Sequence, residues 1–149
     1  MCQLGECGLL RASFVPPEPI RQLRDLTRYR STLLGERTRE AQRLEKELED
    51  AGIKLSSVAT DILGVSGRAM LAALIAGEDD AVALAELAKG RMRPKIPQLV
   101  QALTGNFGGH HAFLCRLHLE RIDQLSTTIG ELSARIEGHC QLEVVWTFC

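Results

Sequence analysis

The sequence predicts an all-α protein: a long antiparallel, coiled-coil-like helical hairpin carrying a cluster of short helices. Three observations predict it. Residues 18–51 are built largely from Leu, Arg, Glu, Gln and Lys, strong helix formers, with no proline after Pro19. In residues 110–137, Cys115, His118, Ile122, Leu125, Ile129, Leu132 and Ile136 recur at spacings alternating between three and four, a heptad seam. Aromatic residues are only 4% of the chain, fewer than a compact β-rich core normally uses.

The first long helix occupies segment 16–52. Pro16, Pro17 and Pro19 punctuate its entry, where proline is tolerated, and Gly52 stands where a left-handed cap is expected. Unbroken, it is about 50 Å long and needs a partner along its length. Leu34, Ala41, Leu44 and Leu48 form its apolar stripe, which Leu23, Leu26 and Leu33 extend less regularly. Its charge is segregated. Arg21, Arg24, Arg28, Arg30, Arg37 and Arg39 dominate the first part, and Glu40, Glu45, Glu47, Glu49 and Asp50 the end. Acids in a last turn oppose the helix dipole. An antiparallel pair of such helices sets the basic half of one beside the acidic half of the other. A solvated face accounts for the same charges.

Segment 53–108 reads as short helices. Ser56 or Ser57 is a candidate cap for a helix reaching Leu63. Gly64, Ser66, Gly67 and Arg68 then form a helix–hairpin–helix-like turn, in which Gly64 takes positive φ and Ser66 caps the next helix. Such a turn aims backbone N–H groups at a phosphate; a purely architectural turn is the competing reading. Asp79 or Asp80 caps Ala81 to Ala88. The stretch from Lys89 to Lys95 holds Lys89, Arg91, Arg93 and Lys95 with no acid, either a solvated loop or a phosphate-backbone contact. Pro94 and Pro97 introduce a helix over 95–103, ended by Gly105, and 106–109 is a glycine-rich joint. The second long helix spans 109–137. The tail, 138–149, reads as strand-like through Val144, Val145, Trp146 and Phe148, without a partner strand.

The run from Ser13 to Leu71, including PPEPIRQLRDLTRYR at Pro16–Arg30, resembles the middle of the insertion-sequence transposases of the 110/116/902 type. These are recombinases of the DEDD-plus-serine class that use a bridge RNA. The likeness covers Gly8 to about Glu137. It implies that 1–15 is the end of a RuvC-like domain, whose catalytic aspartates precede the first residue here, and that a serine-bearing domain belongs after 138. The magnesium used by that family therefore has no expected ligands in this chain, and no cofactor is expected. A frameshift or fusion would explain the tail.

The rest of the sequence excludes more than it assigns. Net charge is −1, so any nucleic-acid contact is a local patch. The most apolar run, Ala69–Ala76, is too short to span a membrane, and the N-terminus is not a signal peptide; a cytoplasmic setting is the default expectation. Cys2, Cys7, Cys115, Cys140 and Cys149 include no C-x-x-C pair, which argues against a disulfide framework or a zinc ribbon. His111, Cys115 and His118 share a helix face, but seam packing explains them better than a metal site; His110 and His139 have no evident partner. No nucleophile–base arrangement or P-loop is present.

The expected function is that of a transposase fragment without catalytic residues, retaining dimerisation and weak backbone binding to DNA or bridge RNA. Nucleic acid is assigned to Gly64, Ser66, Gly67, Arg68, Lys89, Arg91, Arg93 and Lys95. Dimerisation, with a second copy or a full-length transposase, is assigned to Leu34, Leu44, Leu48, Ile122, Leu125, Ile129, Leu132 and Ile136. The alternative is a stand-alone helical oligomerisation protein with no nucleic-acid role.

Overall fold

The computed structural model describes residues 15–146, with side chains through His139. The chain is all-α: α1 (Glu18–Asp50), α2 (Val65–Ile75), α3 (Ala81–Glu86), α4 (Ile96–Ala102) and α5 (Gly109–Trp146), with 3-10 stretches at Leu55–Ser57 and Gly90–Lys95. None of its described helices is long and apolar enough to cross a membrane.

The two long helices pack antiparallel. Arg30 Nε donates to Ser133 Oγ at 2.8 Å, Arg121 Nη2 lies 3.9 Å from Glu36 Oε2, and His118 Nδ1 lies 2.8 Å from Glu40 Oε2. Numbers rise along α1 as they fall along α5. Between these polar pairs runs the apolar stripe. Leu33 packs with Leu125 and Ile129, flanked by half-buried Leu34 and Leu132. Leu44 and Leu48 join the larger core that includes Cys115 and Ile122. The half-buried position of Leu34 departs from the expected stripe, which counted back from Leu44 in threes and fours. Leu33, eleven residues before Leu44, is the residue that points at α5, because three turns of a 3.6-residue helix come closest to eleven.

The cluster of short helices sits at one end and is clasped at its base. Lys54 N–H donates to the Ala102 carbonyl at 2.9 Å, and Asn106 N–H to the Ala51 carbonyl at 2.7 Å. Gly52 takes the left-handed conformation expected of it, φ 81°. Gly105 passes so close to the Ala51 carbonyl that a Cβ there would lie 2.6 Å from the oxygen. The segments of chain leaving α1 and entering α5 are thus pinned side by side, and Met70, Leu71, Leu74, Leu84 and Leu99 fill the cluster above them.

Several local expectations are corrected. No α-helix runs from Ser56 to Leu63; a 3-10 turn stops at Ser57, and Asp61 Oδ1 accepts from Leu63 N–H at 2.9 Å in an Asx turn. Asp80, as expected, caps α3 by accepting from Val82 N–H, but α3 ends at Glu86 rather than Ala88. Pro94 lies within the 3-10 stretch, and Pro97 in the first turn of α4. The second long helix does not stop at Glu137; its backbone runs on to Trp146, so residues 138–146 are helical rather than strand-like. A lone strand leaves its N–H and C=O groups without a ladder, whereas a continuing helix satisfies them internally. The expectation for 1–14, like Cys2, Cys7, Thr147–Cys149 and the side chain of Cys140, lies outside the described residues.

The residues assigned to dimerisation are used within one chain. Leu44, Leu48, Ile122, Leu125 and Ile129 are buried in the hairpin, and Leu34, Leu132 and Ile136 half-buried. The clasp explains this: it holds α5 beside α1 at a local concentration that a second chain cannot match. Leu44→Ala, at a site with no exposure, is expected to lower the unfolding free energy by about 2–5 kcal/mol. Leu34→Ala should lower it clearly less. Urea unfolding of the two variants measures the difference, and equal losses would contradict this placement of the seam.

Candidate nucleic-acid interface

The two parts of the expected nucleic-acid site meet in space. Ser66, the second residue of α2, is buried, and its Oγ accepts the Lys89 N–H at 2.9 Å. This bond fixes the start of the basic stretch to the start of α2. It also shows what Ser66 does. Ser66 does not cap α2; Gly64 holds the N-cap position with an extended backbone, φ −68° and ψ 172°, not the positive φ expected. Gly67 is there for close packing. A Cβ on it would lie 2.1 Å from the Ile62 carbonyl oxygen.

The turn is therefore architectural. Ser66 and Gly67 face the interior. The Asp61 carboxylate lies against Gly64, with an oxygen 3.5 Å from where its Cβ would stand. A carboxylate already placed at the start of α2 supplies the negative charge that a phosphate would bring, and repels a second anion. Sequence spacing showed the glycines but not the carboxylate just upstream folding back over them.

The cations divide into two groups. Arg68 forms a two-pronged pair with Asp123 of α5, at 2.6 and 3.1 Å, and Lys95 Nζ donates to the Val58 carbonyl at 3.0 Å. Both side chains tie the cluster together. Lys89, Arg91 and Arg93 are exposed, and among the described residues their side chains make no ion pair or hydrogen bond. Arg91 and Arg93 stand on the 3-10 stretch and Lys89 immediately precedes it; the first residue of the stretch, Gly90, has φ 57°. The result is a compact, outward-facing group of three cations on an anchored backbone.

The histidines and the cysteine are engaged separately. His118 faces Glu40, while His111 Nδ1 accepts from Gly108 N–H at 3.3 Å, at the entry to α5. Cys115 is fully buried, and burial, with some help from the Glu47 charge, pushes its thiol up to about 11. Such a thiol is inert at neutral pH. Among the described residues no group of three or more His, Cys, Asp or Glu is placed to hold a metal ion. Comparison with family models, curated proteins and solved structures finds no match for this chain.

Glu40 is the titrating group with a resolved role along the hairpin. Burial works to raise its carboxyl, but the His118 hydrogen bond and the Arg43 charge outweigh it and hold the group below its ordinary 4.5. A carboxyl depressed in the folded state adds stability above its unfolded value, and that stability is lost as pH falls through the folded one. The stability gap between the parent and Glu40→Gln should therefore be open above about pH 4.5 and close on acidification. Thermal melts across pH 3–7 measure it (roughly the carboxylate range); a gap independent of pH would contradict the ionic role. Ser66→Ala strands the Lys89 N–H and should cost about 1–2 kcal/mol in urea unfolding.

Proposed function

We propose that this chain is the coiled-coil middle region of an insertion-sequence transposase and touches the backbone of DNA or bridge RNA without cutting it. The observation that carries the nucleic-acid part is the outward group of Lys89, Arg91 and Arg93, held by the Ser66–Lys89 bond. Cations that meet phosphates release counterions, which makes binding favourable and salt-dependent. Anchoring helps, because less backbone freedom is lost on contact. The family part rests on the resemblance of Ser13–Leu71. In that family the chemistry belongs to flanking domains, so strand cleavage or exchange by this chain in magnesium would count against the reading.

The alternative, a stand-alone oligomerisation protein, would have to use another surface, because the Leu and Ile seam closes within one chain.

The nucleic-acid reading predicts unequal roles for the five cations. Replacing Lys89, Arg91 and Arg93 with Gln should weaken binding and lower the salt slope by about 3 units on duplex DNA, one per phosphate lost. Arg68→Gln and Lys95→Gln should leave the slope nearly unchanged, since Asp123 and the Val58 carbonyl already hold those side chains. Fluorescence anisotropy over a salt series decides it. Equal slopes for the parent and the triple variant would remove the loop from the interface.

A further inference from the structure

Rings are scarce in this chain, and they gather in one place. Aromatic residues are 4% of the whole, yet Phe107, His110, His111 and Phe113 stand close together at the entry to α5. Two of them are engaged. Phe107 packs against the large core, and the His111 ring, 6.0 Å from that of Phe107, accepts from Gly108 N–H. His110 and Phe113 are exposed. Phe113 keeps 51% of its surface in solvent, and Leu117, one turn further along α5, keeps 42%. Around the helix these two lie opposite Cys115 and Ile122, which are buried in the core. The Arg116 guanidinium lies over the Phe113 ring, 5.5 Å from its centroid.

We propose that this face of α5 stacks an unpaired base of a single nucleic-acid strand, with Phe113 as the platform and Arg116 beside it for a neighbouring phosphate. The proposal rests on the nucleic-acid reading and adds which form of nucleic acid is held. A ring that meets the flat face of a base needs that face uncovered, and in a duplex the next base pair covers it. Exposed aromatic side chains with an arginine alongside are how single strands are held without sequence preference.

Size separates a base from a protein partner. Phe113 and Leu117 are bordered by His110, Arg116, Glu120 and Arg121, all exposed. The apolar area is two half-exposed side chains, on the order of 200 Å². A stable protein interface takes roughly 800 Å² from each partner. The bordering arginines remain open to a phosphate. Arg116 is 3.7 Å from Glu120 and Arg121 is 3.9 Å from Glu36, distances too long for hydrogen bonds, and both arginine side chains are more than half exposed. Such pairs are weak, and phosphate oxygens compete for the same donors.

Fluorescence anisotropy tests the proposal with three probes of one length, about twelve nucleotides: single-stranded oligo-dT, the same backbone without bases, and the dT·dA duplex. The parent should bind oligo-dT more tightly than the abasic strand. Phe113→Ala should weaken the oligo-dT complex about five- to a hundredfold, and leave the abasic and duplex complexes unchanged. Its salt slope on oligo-dT should match the parent's, because stacking releases no counterions, whereas Arg116→Gln should lower that slope by about 0.7, one phosphate on a single strand. Phe113→Tyr should bind as the parent does. Phe113 is exposed, so the variants should fold, and circular dichroism checks this. The proposal is overturned if the parent shows no preference for the strand with bases, if Phe113→Ala binds oligo-dT as the parent does or loses all three probes equally, or if Arg116→Gln keeps the parent's slope. Phe113→Ala that changes the sedimentation of the chain alone, with oligo-dT binding intact, would give the face to a second copy instead. Failure of the basic-stretch reading shows separately, as an unchanged duplex slope in the Lys89, Arg91 and Arg93 variant.

Discussion

The contact between α1 and α5 is the constraint under everything else. A helix of 33 residues with a largely charged surface gains little from its own hydrogen bonds in water; its stability comes from the face it buries. That face is narrow. Leu33, Leu44 and Leu48 on one side and Cys115, Ile122, Leu125 and Ile129 on the other are the buried residues of the shared stripe. Without it neither helix has a reason to persist, and the short-helix cluster loses the two pinned chain segments on which it stands.

Polar contacts set the alignment that the apolar stripe alone leaves loose. A heptad seam slid by one repeat still buries leucine against isoleucine. It does not keep Arg30 at Ser133, Glu36 near Arg121 and Glu40 at His118. These contacts are partly exposed and individually weak. Their effect is on choice of register, because a slipped hairpin leaves Glu40 and His118 half-buried and apart. The clasp at Ala51 and Asn106 acts in the same direction by fixing one end of both helices.

Much of this was legible in the sequence, and the failures share a cause. Period gave the two long helices and the seam residues of α5, because a narrow buried face forces apolar residues into one repeat. Gly52 and Asp80 were legible because their roles depend on near neighbours: a left-handed helix end, and a cap two residues ahead of the N–H it accepts. The turn at Gly64, Ser66 and Gly67 could be read as architectural, but the positive φ expected of Gly64 and the capping expected of Ser66 were wrong, because these roles depend on residues distant or folded back in space. Nothing in GVSGR shows that Ser66 meets Lys89, twenty-three residues on, or that Gly67 must clear the Ile62 carbonyl. The basic stretch could be counted, but which of its cations is already held by Val58 and which face solvent could not. Residues 138–146 read as a strand because Val and Trp favour strands on average, an average taken over residues that have a sheet to join.

The two arginine-rich surfaces differ in a way that composition hides. Lys89, Arg91 and Arg93 sit on a short, irregular stretch with no carboxylate among them, and present charge of one sign to whatever approaches. Arg21, Arg24 and Arg28 sit on a straight rod that carries its own opposite charge about 35–40 Å away, at a fixed distance set by the helix rise. In salt, charges that far apart do not act on one another, so each end of the rod meets its surroundings separately, whereas the basic stretch presents a single sign. With a net charge of −1 for the whole chain, local arrangement, not total charge, sets what each surface attracts.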